Sequence, residues 1–207
     1  MLNMIQACGA VAQLRPQDSL LVATMGAMFV FDRIEASQNL PKPANRINAV
    51  PLMGGAAGLG LGLALAQTER KVIVVDGDAS LLMELGGLNT VASQAPANLL
   101  HIVIHNGTQF TGLANIKAPA LGFSFAQAAR NAGYKQAETI SDPAQWPARL
   151  GALLAAEGPN FVELMVEPMP QQTGPGFEQA EMPDVQFERM RHEATALRAY
   201  LKPASGA

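Results

Sequence analysis

Between Leu20 and Val166, short runs of branched apolar residues alternate with longer stretches whose apolar positions recur at helical spacing. That rhythm predicts an α/β fold with a doubly wound parallel sheet. Strands are expected at 19–24, 71–76, 98–105, 136–140 and 160–166. The runs Val72-Ile73-Val74-Val75 and Leu99-Leu100-His101-Ile102-Val103-Ile104 are almost unbroken, as strands covered by helices on both faces tend to be, so they are expected at the centre. Helices are expected at about 3–14, 26–37, 54–67, 80–94, 123–132, 143–156 and 185–201, with Pro143 in the first turn of the sixth. From 167 to 183 the chain turns to Pro, Gln, Gly and Met, a composition expected neither to continue a strand nor to sustain a helix. The expected organisation is a domain at 1–166, then a Pro-rich linker and an amphipathic closing helix within 167–207.

Composition narrows the function classes. The 207 residues are 49% hydrophobic and 15% charged, enough for one well-buried core. A net charge of -3 argues against an electrostatic nucleic-acid binder. The apolar stretches stop short of the ~20 residues that a membrane span needs, and Met1 to Leu14 reads as a first helix, not a signal peptide. A lone cysteine, Cys8, excludes an intrachain disulfide and a Cys-based metal site, which fits a reducing cytoplasm. The histidines are only His101, His105 and His192. Arg33 and Lys117 are candidate anion partners, and Glu178, Glu181 and Asp184 are expected to solubilise the tail.

The chemistry concentrates where two strands end. Val74-Val75-Asp76-Gly77-Asp78-Ala79-Ser80-Leu81 is followed, after the next strand, by His105-Asn106-Gly107-Thr108. A right-handed crossover would make the two strands parallel and bring both carboxyl ends to one edge. Adjacent strands lie ~4.8 Å apart, so Asp78 and Asn106 could share one small cation. Their hard oxygen donors, so few in number, suit Mg²⁺ completed by phosphate and water. A helix opening near Ser80 would add backbone N–H groups for a diphosphate.

Gly77-Asp78-Ala79, 25 intervening residues, then His105-Asn106 resembles the Gly-Asp-Gly to Asn-Asn signature of thiamine diphosphate enzymes. The stretch Pro51-Leu52-Met53-Gly54-Gly55, running on to Ala66 through small residues, is similar to the segment preceding that signature. The resemblance spans roughly residues 18–166 and is closest to the beta subunit of sulfopyruvate decarboxylase and the matching half of phosphonopyruvate decarboxylase. It implies Asp78 and Asn106 as side-chain Mg²⁺ ligands, with Thr108 adding its backbone carbonyl. It implies Gly77, Ala79, Ser80 and Leu81 beside the diphosphate, and Met53, next to Leu52, as the wedge that bends the cofactor. The Pro51 carbonyl would accept a hydrogen bond from the cofactor's amino group. Gln109 and Phe110 are candidates to line the cofactor pocket, with an exposed loop as the alternative.

Two positions and one stretch depart from the family pattern. Ala79 replaces the third Gly, His105 replaces the first Asn, and Gln109 to Asn115 replaces a longer Ser-Thr-Gly-Gly-Gln-like stretch. His105 and Gln109 are the candidate catalytic groups. The glycines of 54–62 satisfy no dinucleotide-loop frame, and close helix packing is the expected role.

The implied function is the diphosphate-binding subunit of a heteromeric 2-oxo acid decarboxylase acting on 3-sulfopyruvate or 3-phosphonopyruvate. The activating Glu would come from a pyrimidine-binding alpha subunit, with at least two copies of each chain. The alternatives are an acetolactate-synthase-like carboligase subunit, a non-catalytic scaffold, or a nucleotide-binding module at the same sheet edge. Leu52, Met53, Leu81, Leu82 and Phe110 are expected to form an apolar patch under the partner, with 167–183 strapped across it.

Overall fold

The structure, a computed structural model, describes residues 1–49, 52–110, 114–118, 122–168, 172–173 and 183–202. The chain runs α1 (Met4–Leu14), β1 (Leu20–Ala23), α2 (Met25–Ser37), β2 (Arg46–Asn48), α3 (Ala56–Ala66), β3 (Val72–Gly77), α4 (Asp78–Met83) and α5 (Gly87–Gln94). It continues through β4 (Leu99–His105), β5 (Thr108–Phe110), β6 (Ala114–Lys117), α6 (Phe125–Ala132), β7 (Gln136–Ile140), α7 (Trp146–Ala155), β8 (Asn160–Met165), β9 (Gln172–Thr173) and α8 (Pro183–Leu201).

Six strands form a parallel sheet in the order β2-β1-β3-β4-β8-β7, so the two apolar runs are central, as expected. Alternate residues of each strand enter opposite cores, as the two-residue period requires. Ile73, Val75, Leu100 and Ile102 pack with α1, α2 and α7 through Cys8, Phe31 and Trp146. Val72, Val74, Leu99 and Val103 pack with α3, α4, α5 and α6 through Leu61, Leu81, Leu88 and Phe125. Gly60 is where α3 meets β3: a Cβ there would lie 2.2 Å from Val74 Cγ2, which bears out the packing role for that glycine.

Several expectations need correction. The helix placed at 80–94 is two helices, because Gly86 and Gly87 interrupt it after Glu84. The sixth predicted helix opens at Trp146 with Pro147, not Pro143, in its first turn. Asp142 accepts the Ala144 amide at 2.9 Å and forms the turn that holds Pro143 outside. β2 was not foreseen. Residues 172–173 of the expected linker pair with β6 to complete a small antiparallel sheet, β5-β6-β9.

α8 covers the edge strand β2. Glu193 accepts the Asn48 backbone amide at 2.8 Å, and Asp32 of α2 takes both Arg46 and Arg189. Arg46, 1% exposed, also pairs with Glu35 at 3.0 Å, so this buried charge is balanced. None of the described helices is long and apolar enough to cross a membrane.

Candidate functional site

The register Val72↔Leu99 to Gly77↔Ile104 aligns the ends of β3 and β4, so Asp78 and Asn106 emerge at one edge. The Asp78 carboxylate is 2% exposed. Its Oδ1 accepts the Ala79 amide at 2.9 Å and its Oδ2 the Gly107 amide at 2.7 Å. Burial raises the Asp78 carboxyl above its ordinary range, and these two amides and His105 pull it back. α4 begins two residues before the expected Ser80, and the Ala79 amide is already engaged by Asp78.

Asn106 Oδ1 accepts both the Thr108 amide at 2.9 Å and the Thr108 hydroxyl at 3.0 Å. A cation taken by this oxygen would displace the hydroxyl. Asp78, by contrast, keeps one lone pair on each oxygen after its two amides. Hard oxygen donors at adjacent strand ends fit Mg²⁺ with a diphosphate. Among the described residues no group of three or more His, Cys, Asp and Glu could hold a metal, so a cation here would draw on Asn106, backbone carbonyls and non-protein oxygens besides Asp78.

A buried carboxylate absent from the sequence expectations lies behind His105. Glu163 of β8 accepts from His105 Nδ1 at 2.8 Å, the Ser124 hydroxyl at 3.2 Å, the Ala126 amide at 3.1 Å and the Thr139 hydroxyl at 2.8 Å. Burial alone would raise its pKa, but the hydrogen bonds led by His105 lower it to about 2. Glu163 in turn raises His105, with Asp78 adding to the effect and burial opposing it. The imidazole packs edge-on to Phe125 and leaves Nε2 3.9 Å from Asp78 Oδ2. One signal was available: Glu163 is the single charged residue in β8, where Phe161, Val162, Leu164 and Met165 are apolar.

The Leu52–Gly55 segment turns beside α4. The Leu52 amide donates to the Ala49 carbonyl, the Gly55 amide to the Leu52 carbonyl at 2.7 Å, and the Gly54 amide to Ser80 Oγ at 3.1 Å. Leu52 and Met53 are 43% and 42% exposed, as the patch requires. Leu81 is not part of that patch: it falls on the inner side of α4 and is fully buried, while Leu82 is half-buried against the same core. Pro51, the Phe110 side chain and most of 167–183 lie outside the described residues. Half-buried Gln109 pairs with Ile116, and exposed Lys117 stands opposite Thr108 in register. Arg33 is not brought to the site; it lies on α2, across the sheet from α4.

Residues 37–164 match the family model described as the C-terminal TPP binding domain of thiamine pyrophosphate enzymes. The chain belongs to this thiamine pyrophosphate enzyme family. Thiamine diphosphate is the cofactor of the domain. The chain is 36% identical over 157 residues to a phosphonopyruvate decarboxylase of Streptomyces viridochromogenes, covering 74% of this chain and 37% of that protein. It is 33% identical over 162 residues to the sulfopyruvate decarboxylase subunit beta of Methanothermobacter thermautotrophicus, covering 73% of this chain and 76% of that one. The chain thus spans about a third of the phosphonopyruvate decarboxylases it matches, at 37% and 29% of their lengths. In fold it is similar to the thiamine diphosphate-dependent 4-hydroxybenzoylformate decarboxylase of Rhodococcus jostii RHA1. That match has a TM-score of 0.65 at 18% identity and covers 81% of this chain and 33% of that chain.

Proposed function

We propose that this chain is the diphosphate-binding subunit of a two-subunit, Mg²⁺-dependent 2-oxo acid decarboxylase whose substrate carries a second anion, 3-sulfopyruvate or 3-phosphonopyruvate. The observation that carries the proposal is the Asp78 and Asn106 pair at adjoining ends of β3 and β4. The likeness to a protein named subunit beta along most of its length supports the two-chain form. When bound, thiamine diphosphate supplies the nucleophilic carbon and the electron sink for loss of CO₂.

The chain's own residues hold and orient. Asp78, Asn106 and the Thr108 carbonyl take the metal. The backbone of Gly77, Ala79, Ser80 and Leu81 would hold the diphosphate, and the turn carrying Leu52 and Met53, with the Pro51 carbonyl, would hold the rings. Gln109 and Phe110 would line the cofactor pocket, and exposed Lys117, opposite Thr108 in β6, would be available to an anion. His105, steadied by Glu163, holds a proton at the site edge. A partner with a pyrimidine-binding domain supplies the activating Glu, in an assembly with at least two copies of each chain. A buried, free Cys8 fits a cytoplasmic enzyme.

The test is a substrate panel on the complex formed with the partner subunit, following CO₂ release with Mg²⁺ and thiamine diphosphate. Turnover of an anionic keto acid, abolished in Asp78→Ala, is expected. Turnover of hydrophobic keto acids alone, or full turnover without a partner, would overturn the proposal.

A further inference from the structure

Among the described residues, four serines donate their hydroxyl to a protein acceptor, whereas exposed Ser141 and buried Ser80 do not. Ser19, Ser37 and Ser93 each donate their hydroxyl to the carbonyl three residues back, and Ser124 donates to Glu163. Ser80, 7% exposed, instead accepts the Gly54 amide at 3.1 Å and donates to no acceptor among the described residues. A hydroxyl has one hydrogen and two lone pairs, so its proton remains available on the edge where Asp78 begins α4. The other end of the bond is equally constrained. Gly54 has φ +88°, and a Cβ there would lie 2.8 Å from Glu84 Cβ and 3.4 Å from Met83 Cβ. The turn carrying exposed Leu52 and Met53 is therefore pressed against α4 with no room for a side chain at its contact point.

We infer that Ser80 is a positioning residue that couples the diphosphate edge to the Leu52-Met53-Gly54 turn, through the relay Gly54 N–H to Ser80 O–H to a phosphate oxygen. The inference rests on the proposed function. Its physical basis is cooperativity: a hydroxyl that donates to an anion becomes a better acceptor, so filling the edge strengthens its hold on Gly54. The two ends of the cofactor are then read by one side chain, and the turn carrying Met53 is held more firmly when the diphosphate is in place. Nothing else among the described hydrogen bonds joins this turn to α4.

Amide hydrogen exchange at Gly54 tests the inference in the complex with the partner subunit, with and without thiamine diphosphate and Mg²⁺. Wild type and Ser80→Thr, which keeps the hydroxyl, should show Gly54 exchange slowed by up to about twofold on binding, since cooperativity strengthens a bond already present by roughly 10–30%. Ser80→Ala should bind more weakly and lose that protection. Calorimetry on the same samples reports binding directly. Cofactor binding that leaves wild-type Gly54 unchanged, or protects it equally in Ser80→Ala, overturns the coupling and leaves the proposed function standing. Failure of the wild-type complex to bind the cofactor removes the proposed function, and this inference with it.

Discussion

The Asp78 carboxylate in α4 accepts the amide of Gly107, beyond the end of β4, at 2.7 Å. One side chain thereby ties two strand ends together while keeping lone pairs for a cation. Asp78→Asn preserves size but removes the charge. Mg²⁺-dependent binding of thiamine diphosphate should weaken by more than the roughly 10–100-fold that loss of an outer partner of a metal ligand costs. Calorimetry on the complex measures this, and unchanged affinity would remove Asp78 from the metal site.

Thr108 competes with any cation for Asn106, since its hydroxyl and its amide both occupy Oδ1. Thr108→Val deletes the hydroxyl and keeps the amide and carbonyl. Metal-dependent cofactor binding should hold steady or tighten by about 2–10-fold, the worth of one released hydrogen bond. A tenfold loss would show instead that the hydroxyl is required.

The His105 and Glu163 pair predicts a window of pH. Glu163 is lowered from 4.5 to about 2, so its contribution is present above about pH 4.5 and is lost as the pH falls toward 2. His105 is raised above 6.5, so its contribution is present below that value and is lost as the pH rises through its folded pKa. The stability gap between wild type and Glu163→Gln should reach on the order of 3 kcal/mol between these limits and shrink on both sides. Urea unfolding across the pH range measures it, and a gap that stays flat contradicts the coupling.

Gly60 is required by β3. Gly60→Ala would drive a Cβ to 2.2 Å from Val74 Cγ2 and should destabilise the chain by about 1–3 kcal/mol, partly relieved by Val74→Ala. Gly58 and Gly62, with nothing within 4 Å, provide the control. Alanine at either should stabilise the isolated chain by up to about 1 kcal/mol through helix propensity. Thermal melts that rank the three variants alike would refute the packing argument.

The central strands were legible because burial on both faces leaves nearly pure apolar runs at 72–75 and 99–104. The juxtaposition of Asp78 and Asn106 followed from them, since a right-handed crossover makes the two strands parallel and brings their carboxyl ends to one edge. β2 was hidden because only Arg46, Ile47 and Asn48 pair, and its two polar residues are balanced by Asp32, Glu35 and Glu193, distant in sequence. Glu163 was passed over for the same reason: its donors come from β4, α6 with its cap, and β7, which no local pattern joins. Leu81 was misplaced because Gly86 and Gly87 let α4 end early, and the phase of a six-residue helix cannot be read from a longer predicted one.

Register, rather than chain length, sets the distance between the two motifs. Gly77 opposite Ile104 puts Asp78 and Asn106 where they are, and a slip of one residue would move Asn106 by roughly 3.3 Å and turn it to the other face. The 84–97 connection packs Leu88 and Val91 of α5 into the core, and only its loops can change length while the ends of β3 and β4 stay aligned. A search that insists on 25 intervening residues would be counting the detour, whereas the sheet measures only the crossing.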